Sequence, residues 1–184
     1  MVEENTEVPL SQVEASGDLN CVSHNVQLNG SGIGVDMAFS WKDQNAMIIP
    51  GEHTEVLTVQ EPGAYTFVVF DQENGCYSES LVTVAVDTIS PDLDVDTPDI
   101  LDCNQTSVSI SGTSTNVDEP VYSWFGPQGL IAGAIGTSIA IENPGTYLWV
   151  VSNQVNGCVN EKEITINQDI QMPQLAISSA EELT

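Results

Sequence analysis

The sequence has no arginine and only two lysines, Lys42 and Lys162, against 27 acidic residues, a formal net charge of -25 over 184 residues. Phosphate backbones are gripped by cationic side chains that displace counterions, so nucleic acid is excluded as a partner. An anionic membrane face would repel the same surface. No apolar run approaches the roughly 20 residues of a membrane span, which argues against membrane insertion. The N-terminus, MVEENTEVPL, lacks the basic and apolar regions of a secretion signal, and this points to a mature segment or an excerpt of a longer protein. Histidine is scarce, with His24 and His53 the only two. Without a nucleophile elbow, a phosphate-cradling glycine loop or a ligating histidine pair, the chain reads as non-enzymatic. Helical periodicity is also missing.

What is present is a repeat. PGAYTFVVFDQENGC, from Pro62 to Cys76, returns later in the chain as PGTYLWVVSNQVNGC, from Pro144 to Cys158. The same offset aligns Cys21 with Cys103, Leu28 with Ile110, Gly30 with Gly112, Tyr65 with Tyr147 and Asp87 with Asp169. Trp41 and Trp124 fall one position out of step, which requires a loop insertion before Trp124 and a compensating deletion before Ile139. The register extends outward: Pro9, Pro91 and Pro173 share a phase, as do Leu19, Leu101 and Leu183. The expected domains are therefore 9–90 and 91–172, with 173–184 opening a third repeat and 1–8 closing a preceding one or starting the chain. The pattern leads us to expect a length cut from a longer array.

Within each copy the period is two. Leu57 and Val59 alternate with Val56 and Thr58; Tyr65, Phe67 and Val69 share one face, as do Val82, Val84 and Val86. Glycine and proline punctuate these runs. The pattern predicts an all-β chain of two tandem antiparallel sandwiches of about seven strands each, lying end to end. In the first copy the strands are expected at 10–13, 26–29, 38–41, 46–49, 55–59, 65–70 and 77–86, with Trp41 and Trp124 plugging the two cores.

Four cysteines remain. The interval from Cys21 to Cys76 equals that from Cys103 to Cys158, and no CxxC or Cys/His cluster suggests zinc. They read as disulfides formed in an oxidising compartment. Pairing within repeats, Cys21–Cys76 and Cys103–Cys158, is favoured; closing a loop of that size removes roughly 4 kcal/mol of unfolded-state entropy. The alternative joins Cys76 to Cys103.

One stretch invites a metal. Asp87, Asp92, Asp94, Asp96, Asp99 and Asp102 crowd the junction between the two copies, and Asp87, Asp92, Asp94 and Asp96 are the candidate ligands for calcium, the one cofactor the sequence suggests. The second copy keeps little of this beyond Asp169, and the spacing matches no EF-hand loop. A solvated linker is the plainer reading.

The combination of LNC or LDC, a central tryptophan, PGxY, NGC and a closing linker resembles the Ig-like or PKD-like repeats of large Bacteroidota cell-surface proteins, adhesin-like and gliding-motility-associated. The stretches WKDQN and WFGPQ depart from the usual PKD motif. The resemblance implies display outside the cell, at its surface, as stalk or adhesive modules. It also implies an O-glycosylation acceptor at DTI, placing a sugar on Thr88. The leading functional expectation is a structural or adhesive repeat of a long extracellular bacterial protein, whose partners are its neighbouring repeats. Alternatives are a glycan- or protein-binding module, with or without calcium, and a self-assembling subunit of a filament or coat.

Overall fold

The protein is described here by a computed structural model covering residues 5–171. The expected third repeat, 173–184, and the first four residues lie outside the described residues. Every regular element described is a strand. The chain divides after Ser90 into two compact units, with the turn Gln154–Cys158 grouping with the first.

In the first unit, β1 (Leu10–Ala15), β3 (Val26–Ile33) and β5 (Val56–Val59) form one antiparallel sheet, ordered β1-β3-β5. A second sheet is built from β4 (Met37–Lys42), β6 (Gly63–Asp71) and β7 (Tyr77–Val84), with β6 central. Two short elements, β2 (Leu19–Asn20) and β8 (Val86–Asp87), pair in parallel. The second unit repeats the plan. Here β9 (Asp92–Val95), β11 (Val108–Thr115) and β14 (Ser138–Ile141) face β12 (Pro120–Gly126), β15 (Gly145–Asn153) and β16 (Val159–Ile166). The extra hairpin strand β13 (Gly129–Leu130) extends the second of these sheets, and β10 (Leu101–Asp102) pairs in parallel with β17 (Gln168–Asp169). This is the immunoglobulin-like strand order, A-B-E against C-F-G, without the D strand. The chain is thus two tandem immunoglobulin-like sandwiches.

Alternation places the core. Val26, Leu28, Leu57 and Val59 from one sheet meet Trp41, Phe67, Val69 and Val84 from the other, all buried. Trp41 packs on Phe67 with ring centroids 4.8 Å apart, and in the second unit Trp124 stacks on Trp149 at 5.7 Å. Each of these two tryptophans donates its indole N–H at 2.9 Å to a loop carbonyl, Thr54 for Trp41 and Gly136 for Trp124. The tryptophans also fix the indels. Trp41 pairs with Phe67 and Trp124 with Trp149, so they hold one structural register, and the inserted residue lies in the β11–β12 loop.

Two repeated signatures become structural. In PGxY, the Tyr65 hydroxyl donates to the Glu61 carbonyl and that of Tyr147 to Asn143, both at 2.9 Å, pinning the entry to the central strand as a tyrosine corner does. Burial holds both phenols above the ordinary tyrosine range, with Glu61 and Asp43 adding to the effect at Tyr65. The recurrent Gly30 and Gly112 pass over the aromatic ring of the opposite sheet. A Cβ at Gly30 would lie 2.7 Å from Phe67 ring atoms, and one at Gly112 would press into Trp149.

The expected strand 46–49 does not form; it reduces to a single bridge between Lys42 and Ile48. The Asp43 carboxylate accepts from the amides of Asn45 and Met47, both at 2.9 Å, and winds the chain into a turn with Ala46 at φ 60°, which no strand tolerates. The last expected strand also ends early. Val86 leaves the core face for β8 and is 49% exposed.

Gly112→Ala should lower the stability of the second unit by about 1–3 kcal/mol through overpacking against Trp149. Gly136→Ala, whose Cβ would meet nothing closer than 4.0 Å, should change it little. Thermal denaturation of the two variants checks this; equal melting shifts would refute the close-approach account.

Candidate functional site

The two cysteine-bearing loops of each copy lie at opposite ends of its central strand. Cys21 follows β2, which is joined to β8 through the Leu19 amide bonding the Ala85 carbonyl, beside the Gly63–Val84 pair that begins β6. Cys76 lies past the other end of β6, where the Asp71 amide bonds the Cys76 carbonyl. A nine-residue strand spans roughly 27 Å at about 3.3 Å per residue. Disulfide Cα atoms must approach within about 7 Å. The expected Cys21–Cys76 bridge is therefore corrected, and so is Cys103–Cys158, since β15 has the same length and separates the corresponding loops. Instead Cys21 is joined to Cys158, with Cα atoms 5.0 Å apart and a sequence separation of 137. Cys76 and Cys103 are free thiols, so the alternative Cys76–Cys103 pairing is not formed either.

Both loop types are made by Asx turns. In the first, the Asn20 side chain accepts from the amides of Val22 and Ser23, at 3.0 and 2.7 Å. The corresponding Asp102 accepts from Asn104 and Gln105, both at 2.7 Å. Those amides, Gln105 foremost, hold the Asp102 carboxyl below the ordinary aspartate range. In the second type, Asn74 accepts from the Cys76 amide at 2.7 Å and Asn156 from the Cys158 amide at 2.9 Å. The intervening Gly75 and Gly157 adopt φ of 78° and 70°, a region open to glycine.

At the bridge the two loops fit together. The Cys21 amide donates to the Asn156 carbonyl at 3.2 Å, and a Cβ on Gly157 would collide with Val22. The Asn156 side-chain amide donates to the Asp87 carboxylate and the Ile89 carbonyl, both at 3.0 Å. Cys158 and Asn156 are buried. The segment held by Asn156 has a recurrent form: the side chains of Asn5, Asp87 and Asp169 each accept from the amide two positions on, all at 3.2 Å, and the three stand at equivalent places in successive repeats. Asn74 likewise donates to the carbonyl of Glu7, the counterpart of Ile89.

The acidic stretch does not converge. Asp92 and Asp94 point outward from β9; Asp92 accepts from the Asn116 side chain and Asp94 from the Val95 amide. Asp87 is engaged as described, Asp96 is exposed with its amide on the Ser111 carbonyl, and Asp99 accepts from Gln105. Among the described residues no three His, Cys, Asp or Glu side chains gather as a metal site. Thr88 is exposed, in a shallow groove with Asn20, His24 and Gln60. His24 and His53 are exposed as well. The parallel β2–β8 and β10–β17 pairs, which position the cysteines, escaped the sequence reading because strands this short carry no periodicity.

No family profile and no curated protein sequence matches the chain. Solved structures that resemble it are tandem immunoglobulin domains at low identity. Extracellular domains 3–5 of Drosophila OTK match at 13% identity and TM-score 0.38 over 85% of this chain and 61% of that one. Murine CEACAM1b matches at 18% and 0.38, covering 87% of this chain and 100% of that one, and titin domains A164-A165 at 12% and 0.33, covering 89% and 97%. This chain thus spans about three fifths of the OTK fragment.

Two measurements follow. Thiol titration of the denatured, unreduced protein should find two free thiols per chain, and proteolytic mapping should recover Cys21 linked to Cys158; a Cys21–Cys76 peptide would overturn the assignment. Because the Asp102 carboxyl titrates lower folded than unfolded, its stabilisation is complete above the ordinary aspartate range and is lost as pH falls through the depressed value. Asp102→Asn, which installs the first copy's residue, should remove that share of the acid sensitivity of the second unit's melting temperature; an unchanged pH profile would contradict it.

Proposed function

We propose that the chain is a structural or adhesive repeat module of a long extracellular bacterial surface protein, of the Bacteroidota kind its motifs resemble, and that it performs no reaction. The observation carrying this is what the repeated residues do. Tryptophan, glycine, tyrosine, the Asx turns and the cysteines of the bridge are each engaged in packing, in turns or in a covalent link, so these recurrent residues maintain shape. The disulfide supports an oxidising compartment and hence an extracellular setting. A net charge of -25 keeps such a surface soluble and discourages unspecific association. On this reading the neighbouring repeats are its principal partners.

Screening the protein against a glycan array, with calcium and with chelator, tests the reading. No binding in either condition is expected for a spacer. Calcium-dependent binding would replace it with a ligand-binding role served by the acidic stretch, and calcium-independent binding would move the function to the loops.

A further inference from the structure

The bridge between Cys21 and Cys158 has an unusual composition: it takes one cysteine from each of the two loop types, and each from a different copy of the repeat. The Leu-x-Cys loop comes from the first copy and the Asn-Gly-Cys loop from the second. One loop of each type is then left over, Asn-Gly-Cys at Cys76 and Leu-x-Cys at Cys103, and these are the two free thiols. We propose that Cys76 and Cys103 are each half of a further bridge of the same kind, completed by the complementary loop of another repeat, and that a second copy of this chain serves as that repeat: Cys103 of one copy bonds Cys76 of the next.

The fit follows from the bridge already formed. Both leftover loops are prefolded by the same Asx turns as their bonded counterparts, Asp102 standing for Asn20 and Asn74 for Asn156. Gly75 keeps the left-handed conformation of Gly157 and has nothing within 4 Å of its Cβ position, where Gly157 abuts Val22. Asn104 takes the place of Val22 in the approaching loop. Cys103 is exposed and Cys76 partly so. Against this stands charge, since two copies each carrying -25 repel at range. That repulsion is screened by salt, with a Debye length of about 10 Å at 0.1 M, so coupling should rise with ionic strength.

The chemistry needs an oxidant of the small-disulfide class. The Cys103 thiolate attacks one sulfur of that disulfide, breaking its S–S bond and releasing one thiolate that takes up the proton Cys103 lost. The Cys76 thiolate of a second copy then attacks the Cys103 sulfur of the mixed disulfide, forming the protein S–S bond and releasing the second thiolate, which takes up the proton of Cys76. Two protein thiols are oxidised and one small disulfide is reduced to two thiols.

The test uses the full chain in a glutathione redox buffer at moderate salt, read by non-reducing electrophoresis and peptide mapping. Wild type should give a ladder of oligomers linked by Cys76–Cys103 peptides. Cys76→Ser and Cys103→Ser should each stay largely monomeric alone. Mixed together they should stop at a dimer, which should exceed either symmetric dimer about tenfold, a preference on the order of 1.4 kcal/mol. Random thiol oxidation would instead give symmetric dimers in comparable amount, and that result overturns the proposal. So does a Cys76–Cys103 bridge within one chain, or a wild type that stays monomeric with both thiols intact. Because the wild-type ladder needs no substitution, a misfolded variant does not blunt the test. The inference rests on the array reading but fails separately: a monomer that retains Cys21–Cys158 and binds no glycan leaves the module reading standing.

Discussion

At the closest approach of two sheets over a buried aromatic ring, the opposing backbone must arrive without a side chain. Gly30 over Phe67 and Gly112 over Trp149 meet that requirement, and the spacing of each sandwich follows from it. Trp41 and Trp124 pack beside the aromatic on the adjacent strand of their own sheet and their indole N–H groups meet loop carbonyls, so a large side chain is buried with its polar atom satisfied. Trp149 differs, because its indole N–H is buried without a partner where the first copy has Phe67, which has no such group to satisfy. The two cores are therefore equivalent in shape and unequal in polarity.

Much of this was legible from periodicity. The alternation through Tyr65, Phe67 and Val69 correctly marked the core face of the central strand, and the single-position slip of the tryptophans correctly implied a loop insertion. Periodicity misjudged the stretch 46–49, because Asp43 competes for the backbone amides that a strand would have used. The cysteine pairing failed for a different reason. Equal intervals between the two cysteine pairs say that two positions recur together, and they carry no distance. The distance was nonetheless implicit in the predicted strand between the PG and NGC signals: a strand that long keeps its ends apart, and a cysteine just past one end cannot reach a loop at the other.

The acidic stretch teaches a similar lesson about carboxylates. Asp87, Asp94 and Asp102 look like available oxygen ligands in the sequence, yet each accepts a nearby backbone amide and so helps shape a turn or strand end. Asparagine accepts in the same way at Asn5 and Asn20, so the turn geometry does not require a charged acceptor, although a carboxylate such as Asp102 gains from the amides it meets. The surplus of negative charge is a property of the surface as a whole, superimposed on turns that would form without it.

The linkage of residues 137 positions apart has a mechanical side. Tension applied to the two ends of this chain reaches Cys21 and crosses the sulfur atoms directly to Cys158, leaving the intervening residues unstretched. At about 3.5 Å per extended residue, that shields on the order of 480 Å of contour from pulling. Unfolding under load could then release only the slack outside the covalent loop, making this stretch of chain behave as a nearly inextensible tether.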